Sequence, residues 1–372
     1  MCMTKRINRK KQRRNLTILA LTTLLLICLV IGGISHLTKK QSPTVSKEKT
    51  EEKTTKKVST KTLKKYKVDE SGNIPIMMYH GIHDLKNSET AYTGGNVDVD
   101  GYQRTAEAFR KDLEFYYEND YRMVRLQDYI HGNIDVELGK SPLCLTFDDG
   151  LDNNILVTGK DKKGNLKLDP NCAVAILEEF KEKYPDFHVT ATFFVNGGLF
   201  SQPEYNEDIL HWLIDHGYDI GNHTYSHVDF TTTDAITAQE EVGSVYALLE
   251  EIIPGEYVSI VALPFGSPYK IDHPMIPYIQ NGTYEGKEYH TESMLQVAWE
   301  ADYSPFHNQF NPAFLKRIRA YDNNGENFDI QMNFEALQTT RYISDGDPDT
   351  ITIPKDQKDS LGNTYDKKVK TY

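Results

Sequence analysis

The chain has 372 residues, 39% of them hydrophobic, enough to bury one large core or two modest ones. Its formal net charge of −12 is unevenly spread: residues 1–67 hold 18 Lys/Arg against 3 Glu, and the rest holds 24 Lys/Arg against 51 Asp/Glu. A body that acidic repels the phosphate backbone, which excludes a nucleic-acid partner and directs the basic arm toward a membrane.

Seven basic residues, Lys5 to Arg14, precede a run from Leu16 to Leu37 that carries no Asp, Glu, Lys or Arg. Such a run predicts one bilayer-spanning helix over residues 16–37, with residues 1–15 cytoplasmic and the rest exported. The competing reading is a cleaved signal peptide, against which stand the length of the run and the lack of an Ala-x-Ala site. Lipidation at Cys28 lacks the small preceding residue that such processing favours. Residues 38–72 are rich in Lys, Thr, Ser and Glu and read as a flexible linker, leaving residues 73–372 as the folded domain. The expected location is therefore the cell membrane, single-pass, with the folded domain outside the cytoplasm.

Ile74 to Tyr79 is an apolar strand that opens at His80-Gly81. Residues 105–119 carry Phe109, Leu113 and Tyr116 at helical spacing, Tyr121–Val124 is a second strand and Leu126–Ile130 a brief helix. Leu143 to Phe147 is a strand ending in Asp148-Asp149-Gly150, and Asp152 to Asp169 is a polar insertion. Helices are predicted over 173–183, 207–216 and 234–252, with Asp234 near the last one's start, and strands over 189–195, 218–220 and 257–263. Met294–Trp299 reads as a strand, Pro312–Arg319 as a helix, and the last thirty residues as a closing strand or a frayed end. Cys144, inside an apolar strand, reads as a buried free thiol, and Cys172 implies no disulfide framework. Strands alternating with helices, with reactive residues at the strands' C-terminal ends, describe an α/β barrel.

The adjacent carboxylates of Asp148 and Asp149 each raise the cost of ionising the other unless a cation sits between them. His223 and His227 are four apart, a spacing that puts both imidazoles on one face of a helical turn. One carboxylate and two histidines leave coordination positions open on a divalent ion, and the second carboxylate is free to act as a base on water. This combination predicts a metal-dependent hydrolase.

Thr146-Phe147-Asp148-Asp149-Gly150 followed by His223-Thr224-Tyr225-Ser226-His227, with Ala191 to Val195 between, resembles the first two motifs of the polysaccharide deacetylases, the NodB-homology or family 4 carbohydrate esterases. The resemblance spans roughly residues 73–303. It implies a distorted (β/α) barrel with fewer complete units than the eight-fold form. It also implies Asp148 as catalytic base and Asp149, His223 and His227 as metal ligands, with Zn2+ expected and Co2+, Ni2+ or Fe2+ as substitutes. Two features depart from the family. The third motif's arginine is replaced by Ala262 in Ala262-Leu-Pro-Phe-Gly266, and no histidine follows His307 to serve as the last motif's general acid. Met77-Met-Tyr-His80 repeats the local pattern of that last motif, and the first and last strands of a closed barrel are neighbours, so His80 is the candidate general acid. This layout resembles deacetylases acting on poly-N-acetylglucosamine.

The expected activity is hydrolysis of N-acetyl groups from a β-linked N-acetylglucosamine polysaccharide, with Pro264, Phe265, Trp299 and Tyr79 as substrate-binding candidates. Asp302 is a candidate orienting acid for a histidine. The alternatives are deacetylation of peptidoglycan or chitin oligomers, O-deacetylation of another polysaccharide, and a degenerate barrel that binds glycan without turnover. The partners expected are the acetylated polysaccharide and, through the N-terminal helix, the membrane. The oligomeric state is open.

Overall fold

The computed structural model describes residues 58–372. The expected cytoplasmic segment, membrane span and linker up to residue 57 lie outside them. Among the described residues, no helix is long and apolar enough to cross a membrane. Folded structure begins earlier than Asn73. Ser59 caps helix α1 (Thr60–Tyr66) by accepting from Thr62 N–H, and Leu63 and Val68 are fully buried, so the expected linker does not reach residue 72.

The central sheet comprises β1 (Ile76–Tyr79), β2 (Tyr121–Met123), β3 (Ser141–Phe147), β4 (Thr192–Val195), β5 (Asp219–Asn222), β6 (Ile260–Ala262), β7 (Ser293–Leu295), β8 (Phe314–Leu315) and β9 (Ile318–Arg319). Its order is β8-β7-β6-β5-β4-β3-β1-β9, with β2 beside the start of β3, and every pairing is parallel. Only Lys316 and Arg317 separate β8 from β9, so one chain segment supplies both ends of the row and closes the sheet on itself. The first strand and the last are indeed neighbours, with Met77 opposite Ile318.

Pro312–Arg319 is therefore extended, not helical. Phe314, Leu315 and Ile318 have a spacing that a helix would also accept, but the barrel's need to close decides the conformation. Backbone carbonyls of Ala313, Leu315 and Arg317 accept from Met294, Gln296 and Ala298, and Ala320 N–H donates to Met78 on the other side. Each of those groups would otherwise be buried without a partner.

Strand alternation sorts the core into two layers. Ile76, Cys144, Phe194, Ala262, Leu295 and Leu315 fill the barrel. Met77, Leu145, Phe147 and Phe193 face outward against helices α2 (Ala106–Glu118), α4 (Ala173–Lys183), α5 (Asn206–Asp215) and α6 (Ala235–Ile252), which bring residues such as Phe109, Leu113, Val174 and Leu210, whereas α3 (Leu126–Ile130) adds Leu126, Tyr129 and Ile130 to the barrel's own cluster. Phe147 stacks on Phe193 at 4.9 Å and meets Phe109 edge-on. Each such ring contributes roughly 1.5–3 kcal/mol by leaving water. Asp234 caps α6 through the N–H groups of Ile236 and Thr237. Cys144 and Cys172 are both free and buried.

The last thirty residues neither close the barrel nor fray. After helix α7 (Ile330–Thr340), they form a separate parallel pair, β10 (Thr350–Ile353) with β11 (Lys368–Thr371). The fully buried Glu70 joins this pair to the first described segment, accepting from Thr352 N–H, Tyr342 Oη, Ser344 Oγ and Asp345 N–H.

Candidate active site

The alternation that fills the barrel also aims its polar residues. Continued past the strand ends, the inward series Ile76-Met78, Cys144-Thr146 and Leu315-Arg317 leads to His80, Asp148 and Arg319 at the C-terminal rim. Asp149 follows with φ 74° and Gly150 with φ 57°, a left-handed turn that redirects the second carboxylate away from the first. A Cβ on Gly150 would lie 2.3 Å from the Leu199 carbonyl, so only glycine fits there.

His223 and His227 do not share a helical turn. They lie in the loop after β5, which folds back through left-handed conformations at Thr224 (φ 64°) and His227 (φ 57°). A β-branched threonine there is strained, and the loop is held by Asn196 Nδ2, which donates to the carbonyls of His223 and Thr224. Glu241 also holds it, accepting from Ser226 N–H. The result still brings the two rings together, 4.9 Å between centroids.

Asp149 Oδ1 lies 3.2 Å from His223 Nε2 and 3.5 Å from His227 Nε2, and one ligand atom from each residue falls within 4.8 Å of the others. His223 Nδ1 donates to the Ala262 carbonyl at 2.8 Å, which turns the Nε2 lone pair toward the carboxylate. That Nε2 is buried with no hydrogen-bond partner. Two lone-pair atoms facing each other at this range need a proton or a metal cation between them. The Nε2 of His227, a third converging ligand atom, favours the metal, so the residues present fit a divalent ion.

Asp148 is 2% exposed and Arg317 is 0% exposed. Arg317 Nη1 and Nη2 each donate to one carboxylate oxygen at 2.7 Å, a two-pronged clamp. Burial pushes the Asp148 carboxyl up, but Arg317 and His223 outweigh it and hold the group well below the usual carboxylate range. A guanidinium of the kind missing at Ala262 is thus supplied from later in the chain, by the link between β8 and β9. Asp302 braces that link: its oxygens accept from the N–H groups of Lys316 and Tyr303, while burial pushes its carboxyl up to about 6. It orients no histidine, which corrects the sequence expectation.

His80 joins the same group. Its Nδ1 is buried without a partner, and its ring meets Tyr102 edge-on at 4.9 Å. Burial lowers its proton affinity below that of an ordinary histidine, against the pull of Asp148 and Asp149. Burial raises Asp149 but its close contact with His223 brings it down overall, and burial plus His223 lower His227.

Of the substrate-binding candidates, Phe265 is 57% exposed and lies 4.6 Å from the His227 ring, with Pro264 buried beneath it. Trp299 is exposed and stacks on Phe328 at 6.3 Å. Tyr79 is not a surface residue. It is 1% exposed, its hydroxyl donates to Asp112 and pairs with Tyr116, and its ring packs on Phe109 and Phe147. The step from Tyr79 to His80 reverses the face, so only His80 looks into the site.

Residues 135–281 match the family model described as polysaccharide deacetylase. Over those residues, less than half of the chain, the sequence is similar to a polysaccharide deacetylase domain. A match to that model supports a hydrolase that removes acetyl groups. Among solved structures, the Streptococcus pyogenes deacetylase PplD in complex with acetate is 18% identical and covers 73% of this chain and 99% of its own, with a TM-score of 0.50. At that identity the likeness establishes the fold. A de-N-acetylase from Aggregatibacter actinomycetemcomitans matches at 10% identity over 66% of this chain and 94% of that one, TM-score 0.41. A family 4 acetyl xylan esterase from Clostridium thermocellum in complex with a cobalt ion matches at 18% over 42% and 58%, TM-score 0.25. No curated protein matches the sequence. His80 and Arg317 flank the matched deacetylase segment on either side and complete its site from outside it.

Proposed function

We propose that this deacetylase hydrolyses N-acetyl groups from a β-linked N-acetylglucosamine polysaccharide at the cell surface and releases acetate. The observation that carries the reading is the Asp149–His223–His227 triad beside an ionised Asp148 clamped by Arg317. The mixed nitrogen and oxygen ligand set suits Zn2+, with Co2+, Ni2+ or Fe2+ as substitutes. A divalent ion bound there would polarise the acetyl carbonyl and acidify water.

The chain's own residues do the rest. Asp148 accepts the proton of the attacking water, and Arg317 fixes the carboxylate's plane so that one oxygen stays aimed at it. His80 delivers a proton to the departing amine nitrogen as the carbon–nitrogen bond breaks. Its burial makes the imidazolium a stronger donor than free histidine. The Phe265 N–H, presented by a left-handed turn (φ 58°), is the donor proposed for the developing oxyanion, and the Phe265 ring walls the acetyl methyl. Residues 16–37 are proposed as the membrane anchor that places the domain outside the cytoplasm. The degenerate-barrel reading rested on the missing arginine, and Arg317 removes that ground.

The test is acetate release by the full-length, Zn2+-loaded protein from β-1,6 and β-1,4 N-acetylglucosamine oligomers. Faster release from the β-1,6 series is expected for an exopolysaccharide substrate. Faster release from the β-1,4 series would reassign the substrate to peptidoglycan or chitin-like glycan, and none from either would overturn the reading.

A further inference from the structure

Two residues beyond Arg317, on the same face of the closing strand, stands a second arginine. Arg319 pairs in register with Met78, two positions before His80, so it occupies the rim beside the proposed proton donor. Its guanidinium carbon lies 4.0 Å from the Tyr321 ring centroid and 4.9 Å from that of Tyr102, the same tyrosine that meets His80. Every other arginine among the described residues has a hydrogen-bond acceptor: Arg104, Arg110, Arg122, Arg125, Arg317 and Arg341. Arg319 has none, and its Nε is buried without a partner.

A buried, unpaired guanidinium donor is costly, and surface mobility does not relieve it when aromatic rings hold the group in place. Stacking on the rings satisfies none of the guanidinium's N–H groups, and a guanidinium edge matches a carboxylate or phosphate with two parallel bonds. The chain after residue 67 holds 51 acidic residues against 24 basic, a field that disfavours anionic ligands, whereas the rim holds a fixed, uncompensated cation. Asp148 cannot serve as its counter-ion, because Arg317 already takes both carboxylate oxygens.

We propose that Arg319 is a specificity-determining residue that receives an anionic substituent of the glycan, a carboxylate or a phosphate on the sugar being deacetylated or its immediate neighbour. The inference rests on the deacetylase reading and narrows its substrate class to acetylated glycans that carry negative charge.

The test compares full-length, Zn2+-loaded wild-type protein with Arg319→Gln and Arg319→Lys on three matched N-acetylglucosamine oligomers: neutral, carboxylated (3-O-lactyl) and phosphorylated. The wild type should favour one charged oligomer, and Arg319→Gln should cut its kcat/KM relative to the neutral one roughly 10- to 100-fold. Arg319→Lys should recover part of that ratio. The arm that shows the effect identifies the group. An unchanged ratio would overturn the proposal, assigning Arg319 to ring packing or, if all three rates fall together, to positioning His80 through Tyr102. Calorimetric binding of the same oligomers to the Asp148→Asn protein, with and without Arg319→Gln, tests the anion site without relying on turnover. Loss of affinity confined to a charged oligomer supports the anion site even if no oligomer is turned over, the outcome that would sink the deacetylase reading alone.

Discussion

At the scale of single residues, the site depends on a charge pair withdrawn from bulk solvent. Arg317 and Asp148 are both buried, so removing one leaves the other as an uncompensated charge, at about 3–5 kcal/mol. Arg317→Ala is therefore expected to lower the thermal midpoint as well as the activity. Arg317→Lys keeps the charge but not the fork, and should keep most of the stability while kcat falls roughly 10- to 100-fold, because a lysine cannot fix the carboxylate's plane. A thermal melt and a kcat measurement on the two variants separate these effects. Equal stability and activity in Arg317→Lys and wild type would deny Arg317 any orienting role. His80→Ala should lose roughly 10²- to 10⁴-fold in rate while binding the metal with unchanged stoichiometry. A full rate would return the proton donor to another residue.

At the scale of elements, the barrel's closing link determines what reaches the rim. Asp302 holds that link through the Lys316 N–H and also accepts from the Tyr303 N–H beside it, so Asp302→Ala should cost about 1–3 kcal/mol for the unsatisfied donors and lower kcat by loosening Arg317. Unaltered kcat would show that the link holds its shape unaided. The same link marks the limit of what the sequence made legible. Asp148, Asp149, His223 and His227 were readable because adjacent carboxylates and paired histidines are chemically conspicuous wherever they fall. His80 was legible as a candidate through the likeness of Met77-Met-Tyr-His80 to the family's last motif, a local pattern that needs no knowledge of its partners. Arg317 was not, because Phe314, Leu315 and Ile318 fit a helix as well as a strand, and the choice is made by neighbours more than 200 residues away at Met77 and Met78. Tyr79 failed for the opposite reason: its place beside His80 in sequence says nothing of the pleat that turns it into the core. The histidine pair reached one site through a strained loop rather than the helical turn its spacing suggested.

At the scale of the whole molecule, residues beyond the barrel join its first and last segments through one buried carboxyl. Burial and the neighbouring Asp345 push Glu70 up to about 8 from an ordinary 4.5. The folded state then holds a proton that the unfolded chain has already released, so Glu70's contribution to stability is fully present below about pH 4.5 and is lost as pH rises toward 8. Thermal midpoints of wild type should fall across that window, and Glu70→Gln should flatten the fall. An identical slope in the variant would place the pH dependence elsewhere.

The claim on which the rest depends is that two adjacent carboxylates divide the work, Asp149 holding a metal with the two histidines and Asp148 moving a proton. The most direct measurement is acetate release from N-acetylglucosamine oligomers by full-length wild-type and Asp148→Asn protein, each first stripped by chelation and then reloaded with Zn2+, with bound metal counted at every stage. The account predicts that stripping abolishes release and reloading restores it in the wild type, and that Asp148→Asn binds the same amount of metal yet stays at least roughly a hundredfold slower. Release that survives stripping, or an Asp148→Asn protein that is fully active once loaded, would contradict it.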